Sequence, residues 1–456
     1  MNRRHFLKGA GSAGMLAALS QLSLNSAFAD SASDYKALVI VFLYGGNDSN
    51  NMIIPYDASA YATYAGVRGA LAIPQAQLTP LANPAAINAN TMNGVQQFGL
   101  HPALAALAPL WDAGQLAIQF NAGPLAKPTT QAQLKTAGYK LPANLYSHID
   151  QQQQWQTTGI APQGVESSGW GGRVADAVNA GAGTVPPVIT LAGNSIFTLG
   201  KNTRPLAVPT AGGSFGLSYA NTSLQGAVAA LAGQTGNTRL RNIDGQIKQS
   251  ALANSALVNP IVNNATSTVR PLFAGQTSSI ALQLMTVAML IEQRAKLGLS
   301  RQVYFVSQGG YDTHGDQLNV QNTLYGQLGN ALATFNNAIG SLGLGSNVTT
   351  ATMSDFARTL KPNSTAGSDH AWGGHHLIMG GAVKGKQYYG RFPQHVLGGP
   401  DDTTKEGRWI PTTSVDQYVA TLATWFGVTP TQLSSVVPNL ASFTNAGWPA
   451  SVGFMG

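Results

Sequence analysis

A continuous apolar run near the start of the chain restricts the possible folds more than any other feature. The run extends from Ala37 to Tyr44 and contains only apolar and aromatic side chains. A strand without polar alternation is buried on both faces, which is typical of the centre of a parallel sheet. The run ends in Gly-Gly-Asn-Asp48, and the glycines permit a sharp turn. The sequence therefore predicts an α/β fold with Asp48 beside the carboxyl end of a central strand, where such sheets place their sites; a turn-capping role for Asp48 is the alternative.

Two later segments repeat this pattern of a buried strand followed by polar residues. The predicted strand at 301–306 precedes Gly-Gly-Tyr-Asp312-Thr-His314, and the predicted strand at 347–354 precedes Asp355. In a loop or on a strand, Asp312 and His314 can face the same side, because they are two residues apart. The three strands therefore deliver acidic residues to one edge of the predicted sheet, together with a histidine.

The stretch at 353–376 is rich in side chains that can bind metals or take part in catalysis. Within twenty-four residues it contains two aspartates, an arginine and three histidines, in a protein with only eight histidines and 9% charged residues. Carboxylate and imidazole groups together bind divalent metals such as zinc, manganese, calcium or magnesium. The stretch predicts a site for one or two such ions, and it supplies Asp355, Arg358, Asp369, His370, His375 and His376.

Two further positions have alternative interpretations. Ser147 and His148 precede a polar helical segment, and an isolated pair of this kind favours a helix cap at Ser147 over a catalytic hydroxyl. Arg358 or Arg173 could bind the non-bridging oxygens of a phosphate or sulfate ester, because the planar guanidinium matches that geometry. The alternative for Arg173 is a surface charge.

The N-terminus predicts export. Arg3 and Arg4 precede Phe-Leu-Lys, an apolar and small-residue stretch extends from Gly9 to Leu24, and Ala27-Phe-Ala29 forms a cleavage site. This pattern predicts a twin-arginine signal peptide over residues 1–29 rather than a membrane anchor, because the apolar stretch is too short to span a bilayer. We expect a periplasmic or secreted protein that meets the twin-arginine translocase during export; an ordinary secretory signal is the alternative.

Composition excludes several functional classes. The chain has no cysteine, so disulfides, iron–sulfur clusters and thiolate zinc sites are ruled out. The predicted leader takes three of the 25 basic residues and no acidic one, so the mature chain has 22 basic and 18 acidic residues. Since no basic run stands out, we expect no nucleic-acid partner. No later apolar run is long enough to predict a transmembrane helix.

The remaining pattern predicts one α/β domain over residues 30–456. Segments at about 57–100 and 182–277 are expected to form loop-rich insertions, the second consisting of strands and turns over the sheet. Predicted helices and strands alternate outside these insertions. The helices are expected at 101–111, 276–297, 319–342 and 414–427, and further strands at 115–120 and 376–379.

Taken in order, these motifs resemble the alkaline phosphatase and sulfatase superfamily. More closely, the chain resembles a large uncharacterised family of twin-arginine-exported bacterial proteins placed in that superfamily. The matching segments extend from the leader to about Gly427. They are Val41-Phe-Leu-Tyr-Gly-Gly-Asn-Asp48, Ser147-His148 with Trp155, Gly169-Trp-Gly-Gly-Arg173, Gly309-Gly-Tyr-Asp-Thr-His-Gly315, Ser354-Asp-Phe-Ala-Arg358, Ser368-Asp-His370 and Gly380-Gly-Ala-Val-Lys-Gly385.

The resemblance implies an alkaline phosphatase-like fold with a largely parallel central sheet, flanking helices and a large middle insertion. It also implies two metal sites. One would contain Asp48, Ser147 as the nucleophile, Asp369 and His370. The other would contain Asp312, His314 and a late histidine, which is His376, His375 or His395. The spacing Asp312-x-His314 departs from the Asp-x-x-x-His that is usual in the superfamily.

The activity implied by the resemblance is that of an exported metal-dependent hydrolase. Its substrate would be a phosphate or sulfate ester, either a small molecule or a component of the cell envelope. The alternative is a non-catalytic binding or assembly factor of the cell envelope on the same fold. A redox enzyme is a weaker interpretation, since no motif for an organic cofactor is present.

Overall fold

A large, mostly parallel sheet lies at the centre of the protein. The computed structural model describes residues 34–178, 180, 185–210, 213, 222–234 and 238–456, so the predicted leader at 1–29 lies outside the described residues. In spatial order the strands of this sheet are β11 (Gln387–Gly390), β5 (Leu116–Gly123), β10 (Gly374–Met379), β9 (Val348–Ser354), β1 (Lys36–Leu43), β8 (Arg301–Gln308), β6 (Val188–Thr190) and β7 (Leu206–Ala207). A short strand, β12 (Thr413–Ser414), pairs with β5.

Strand β1 occupies the interior position that its sequence predicts. It runs parallel to β8 on one side and to β9 on the other, with Ile40 opposite Phe305 and Ala351. Every residue from Ala37 to Leu43 is buried, which explains why the run lacks polar side chains. Only β10 runs antiparallel to its neighbours within the described sheet. The predicted α/β architecture with a largely parallel sheet is confirmed.

Helices cover both faces of the sheet and bury its side chains. Val39 and Val41 point into one apolar cluster, which also contains residues of α9 (Ser279–Glu292) and α11 (Gln317–Ser341). Leu38, Ile40 and Phe42 point into a second cluster with α6 (Trp170–Ala177) and α12 (Val415–Phe426). Each fully buried aliphatic or aromatic side chain contributes roughly 1.5–3 kcal/mol of transfer free energy, so these two layers hold the sheet.

The remaining elements are short or belong to the insertions. The first insertion contains α2 (Ala58–Arg68) and two of the three strands of a small antiparallel sheet. That sheet consists of β2 (Ile53–Pro55), β4 (Phe98–Leu100) and β3 (Thr79–Leu81). The other helices are α1 (Ser49–Met52), α3 (Ala108–Asp112), α4 (Gln131–Leu134), α5 (His148–Thr157), α10 (Arg294–Leu297), α13 (Leu433–Val436) and α14 (Ala441–Thr444).

The middle insertion differs from its predicted content. Its described part includes β6 and β7, but it continues into two helices, α7 (Thr222–Ala232) and α8 (Arg239–Val262). The sequence of this segment is rich in alanine, leucine and glutamine, which are strong helix formers, so the expectation of only strands and turns was wrong. The predicted helices at 276–297, 319–342 and 414–427 are confirmed, the first as α9 and α10.

A pair of glycines allows three strand ends to meet. Gly45 and Gly46 follow β1 with φ of +112° and +79°. A side chain at Gly45 would lie 2.5 Å from the backbone nitrogen of Asp312, and one at Gly46 would meet the ring of Phe356. Glycine is therefore required here, because the turn after β1 packs directly against the segments that follow β8 and β9.

Burial of Asp416 gives a pH-dependent contribution to stability. Asp416 lies in the first turn of α12 with 1% exposure, and burial raises its pKa from 3.8 to about 7. The folded state therefore binds a proton that the unfolded state releases above pH 4, and this contribution to stability is lost as pH rises from 4 through 7.

We expect Asp416→Asn to be more stable than the parent at pH 8 by about 2–4 kcal/mol, with the difference vanishing near pH 4. Urea unfolding at both pH values measures this. The exposed Asp244→Asn is the control, with an expected change below about 0.5 kcal/mol. An Asp416→Asn protein that is no more stable than the parent at pH 8 would contradict the prediction.

Candidate metal centre

Three separate parts of the chain bring histidines and an aspartate together beyond the carboxyl ends of β8 and β9. His148 is the first residue of α5, Asp312 and His314 follow β8, and His370 lies between β9 and β10. Among the described residues, potential ligand atoms of His148, Asp312 and His370 lie within 4.8 Å of one another. With His314, we call these four residues the His–Asp cluster.

The Nε2 atoms of the three imidazoles all lie within 3.5 Å of the Asp312 carboxylate, and His370 Nε2 lies next to each of the other two. His370 Nε2 lies 3.1 Å from His148 Nε2 and 3.0 Å from His314 Nε2. The Asp312 carboxylate completes the group. Its Oδ1 lies 3.0 Å from His314 Nε2 and 3.3 Å from His370 Nε2, and its Oδ2 lies 3.5 Å from His148 Nε2.

Each imidazole is held through its other nitrogen by an acceptor oxygen. His148 Nδ1 contacts Asp355 Oδ2 at 2.6 Å, and His314 Nδ1 contacts Asp369 Oδ1 at 3.1 Å. His370 Nδ1 contacts the carbonyl oxygen of Tyr146 at 2.8 Å. Since carboxylate and carbonyl oxygens only accept, all three Nδ1 atoms carry the proton.

This arrangement fits a metal ion on chemical grounds. When an imidazole is neutral and protonated on Nδ1, its Nε2 presents a lone pair, so three lone pairs converge and repel unless a cation or proton lies between them. Ligating histidines commonly donate their second N–H to a carboxylate or backbone carbonyl, as all three do here. The donor set is three nitrogens and one carboxylate.

Hydrogen bonds, burial and neighbouring charges shift the pKa values of the cluster residues. The hydrogen bond to Asp355 raises the pKa of His148, whereas desolvation lowers the pKa of His370. Desolvation raises the pKa of Asp312, but the hydrogen bond and charge of Arg358 outweigh it and leave that pKa below its usual value. Asp312 is therefore an anion at neutral pH.

Arg358 is buried and holds Asp312 in place. Its Nη1 donates to Asp312 Oδ1 at 2.7 Å and its Nη2 donates to the carbonyl of Ser368. The role predicted for Arg358 in binding substrate oxygens stays a prediction. Arg173 is also buried and donates to the carbonyls of Val436 and Ser168, so a surface charge was the wrong interpretation for it.

The cluster is accessible on one side. The side chains of Asp312 and His314 are 48% and 46% exposed, whereas those of His148 and His370 are 26% and 25% exposed. Structural metal sites are closed by protein ligands, while catalytic sites keep a position open to water or substrate. The exposure of two of the four donors matches the open kind.

Asp48 has contacts that differ from its predicted role as a ligand. It is fully buried, its carboxylate pairs with the guanidinium of Arg68, and Gln317 donates to the same Oδ2. Its Oδ1 accepts from the backbone nitrogen of Asn50 at 3.2 Å at the start of α1. The turn-capping alternative therefore describes Asp48, because both carboxylate oxygens are engaged away from the cluster.

Ser147 occupies the N-cap position of α5 between two residues that contact the cluster. Its hydroxyl donates to Asp150 Oδ2 at 2.7 Å and accepts no hydrogen bond from the helix backbone. The neighbouring residues are Tyr146, whose carbonyl holds His370, and His148. The hydroxyl is thus free of the capping role that the sequence favours, and its role as nucleophile stays a prediction.

The late histidines lie in the apolar interior. His376 packs against Trp155 and Tyr418, and burial lowers its pKa to about 3. His375 Nδ1 accepts from the backbone nitrogen of Asn121, and His395 stacks on Trp409. These rings are neutral core residues, so the structure does not bring the predicted late histidine to the cluster.

Sequence reasoning missed His148 as a member of the His–Asp cluster. It considered the Ser147-His148 pair only for the serine, because a histidine at a helix start carries no spacing signal to residues more than 160 positions away. It predicted Asp355 at the site and Asp369 as a metal ligand, and in the structure each of these carboxylates accepts from the Nδ1 of an imidazole ring. The one sequence feature that could have indicated His148 is its position next to Ser147, the proposed nucleophile.

Comparison with known families identifies the chain. Residues 35–430 match the family described as "Protein of unknown function (DUF1501)". The chain belongs to this family. Residues 1–20 match the twin-arginine translocation pathway signal sequence, which confirms the predicted kind of signal and indicates export across the cytoplasmic membrane. Its predicted end at Ala29 stays a prediction. A search of curated proteins finds no match. Within the described part of this DUF1501 chain, no helix has the length and apolar character needed to cross a membrane.

Solved structures show only a distant likeness to this DUF1501 protein. The lipoteichoic acid synthase LtaP from Listeria monocytogenes has 9% identity and a TM-score of 0.32, with 87% of this chain and 72% of that chain covered. The phosphonate monoester hydrolase of Agrobacterium radiobacter has 11% identity and a TM-score of 0.31, with 87% and 74% covered. BT1596, a 2-O GAG sulfatase, has 10% identity and a TM-score of 0.31, with 87% and 71% covered. Scores this low carry no argument about activity.

The geometry predicts which substitutions remove a bound metal. We expect His148→Ala and Asp312→Ala to lose the ion, because each removes one of four donors. Asp355→Asn should weaken metal binding about 10–100-fold by releasing the ring of His148. Elemental analysis of protein purified without chelators, and competition with a chromogenic chelator, measure these effects.

The control is His376→Gln, which alters a buried histidine outside the cluster and should keep the metal. Loss of the ion from His376→Gln together with its retention by His148→Ala would show that the late histidine is the ligand, as the resemblance implies.

Proposed function

We propose that this DUF1501 protein is an exported metal-dependent hydrolase of phosphate or sulfate esters. The observation that supports this most strongly is the convergence of three imidazole Nε2 atoms, each held through Nδ1, on the half-exposed carboxylate of Asp312. The signal sequence supports a periplasmic or secreted location. The substrate would be a small ester or an ester in the cell envelope.

The donor set narrows the choice of ion. Three imidazoles and one carboxylate suit zinc, and manganese is the next candidate, whereas calcium and magnesium prefer oxygen ligands. The His–Asp cluster supports a single ion. The second site implied by the resemblance has less support, because Asp48 is engaged by Arg68 and His376 is buried in the core.

Each residue of the site has a distinct role in this proposal. A bound divalent ion would stabilise negative charge on the ester and lower the pKa of a coordinated hydroxyl or water. Asp355 and Asp369 orient the rings of His148 and His314. Arg358 fixes Asp312 and keeps it ionised. The carboxylate of Asp150 holds the hydroxyl of Ser147 and is placed to accept its proton.

The non-catalytic alternative makes a different demand on the site. A binding or assembly factor would need the ion only for structure, and such sites are closed to solvent. The exposure of Asp312 and His314 supports hydrolysis over a structural role.

Hydrolysis of aryl phosphates and aryl sulfates tests the proposal directly. We expect zinc- or manganese-loaded protein to hydrolyse at least one of them, and His148→Ala to lower kcat/KM at least about 100-fold, which corresponds to the loss of a metal ligand. Ser147→Ala should keep the metal and lose activity to a similar extent.

Two controls separate the possible causes of inactivity. Gln77→Leu, an exposed position on a separate surface turn, should leave both metal content and kcat/KM unchanged. Full activity in Ser147→Ala would show that a water molecule is the nucleophile. A fully metal-loaded parent that hydrolyses neither ester class would instead support the binding or assembly role.

A further inference from the structure

A polar cleft of about 490 Å³ lies along the outer face of α5, beside the His–Asp cluster. Its walls come from the turn after β1, from α5 itself and from the segments at 163–166 and 194–196. Amide and hydroxyl side chains dominate it, and we call it the amide cleft. Its lining includes Tyr44, Gln152, Gln153, Gln156, Gln163 and Asn194.

One helix connects the cleft to the cluster. His148, Gln152 and Gln156 are spaced four residues apart, so they lie along one face of α5 over about 12 Å. Gln152 both lines the cleft and donates to Asp355 Oδ2 at 2.8 Å, and the same oxygen holds His148. The carboxylate of Asp355 therefore links the cleft to His148, and the cleft extends from Gln152 to Gln156 along the helix.

Internal hydrogen bonds hold the walls of the cleft. Gln156 Oε1 accepts from the hydroxyl of Ser195 at 2.6 Å, and its Nε2 lies 3.4 Å from the hydroxyl of Tyr44. Gln153 pairs with the backbone of Pro162 and Gly164. Because these side chains are already held in place, ordering them costs little free energy when a ligand binds. Each amide has two donors and two lone pairs, so these contacts leave further hydrogen-bonding capacity.

The charges of the cleft identify the kind of ligand it suits. Glu166 is the only charged side chain among the described residues that line it, and no lysine or arginine accompanies it. An anionic group would find no positively charged partner in this lining and is better placed at the His–Asp cluster. Amides and hydroxyls, by contrast, both donate and accept, as the hydroxyl groups of an uncharged polyol do. Ile149 is 55% exposed and offers an apolar contact for carbon-bound hydrogens.

We propose that the amide cleft binds a neutral, hydroxyl-rich part of the substrate, of the class of an uncharged carbohydrate, while the ester anion faces the His–Asp cluster. The part of this inference that concerns catalysis rests on the proposed hydrolase function. The binding event itself depends only on the cleft, so the two can be tested apart.

The experiment measures carbohydrate binding in proteins with and without a functional metal centre. The probes are an array of neutral hexose and N-acetylhexosamine oligomers, followed by calorimetry with the oligomer that binds best. The proteins are the parent, His370→Ala, Tyr44→Phe, Gln163→Leu and Asn194→Leu. Gln163 and Asn194 are exposed, and Tyr44 is half-buried, so these changes alter the wall rather than the core.

We expect the parent and His370→Ala to bind the same oligomers, because the cleft does not need the metal. Asn194→Leu and Gln163→Leu should each weaken binding about tenfold or more, while their metal content stays that of the parent. The matched control is Gln77→Leu, an exposed amide outside the cleft, which should bind like the parent.

Three outcomes separate the two proposals. Binding by the parent and by His370→Ala, lost in the cleft variants, supports the cleft even if no ester is hydrolysed. Ester hydrolysis without binding of any array oligomer overturns the cleft and leaves the hydrolase. Binding that is unchanged in Asn194→Leu and Gln163→Leu, or binding only of anionic lipid vesicles in a parallel assay, also overturns the cleft.

Discussion

The buried carboxylate of Asp355 is the interaction on which the site depends. It accepts from the backbone nitrogen of Gly45 at 3.3 Å, from His148 Nδ1 at 2.6 Å and from Gln152 at 2.8 Å. It thus connects the end of β9, the turn after β1 and the start of α5. A buried carboxylate is stable only with such partners, and these partners order the ring of His148 in turn. The carboxylate of Asp355 therefore links the strands of the sheet to the candidate site.

The sequence predicted the sheet well because its signals are local. Strand β1 is almost entirely apolar, β8 has an apolar centre and β9 is rich in β-branched residues, and all three are largely buried on both faces, as interior strands are. The insertions were harder, since short strands and helices there are set by tertiary contacts. The helical content of α7 and α8 was missed, although the alanine and leucine content of α8 favours a helix.

The candidate site was predicted in part, and its misses have physical causes. Asp312 and His314 were identified because they follow a strand of the sheet, and His370 because it lies in the stretch rich in aspartate and histidine. Asp48 also follows a strand, but it pairs with Arg68, which belongs to the first insertion. The positions of the strand ends in the sequence do not predict this pairing. His375 and His376 lie within β10, so successive side chains point to opposite faces and enter the two cores rather than the edge of the sheet.

The histidines of the His–Asp cluster differ from those of the core in their exposure to solvent. The buried histidines are held neutral by desolvation, as the low pKa of His376 and of His395 indicates, both about 3. The histidines of the cluster instead have an acceptor at each Nδ1, and their side chains are partly exposed. Since α5 supplies both His148 and a wall of the amide cleft, helix geometry fixes the distance between His148 and the cleft. A substrate spanning both would be positioned by one rigid element, which is the arrangement that favours reaction over mere capture.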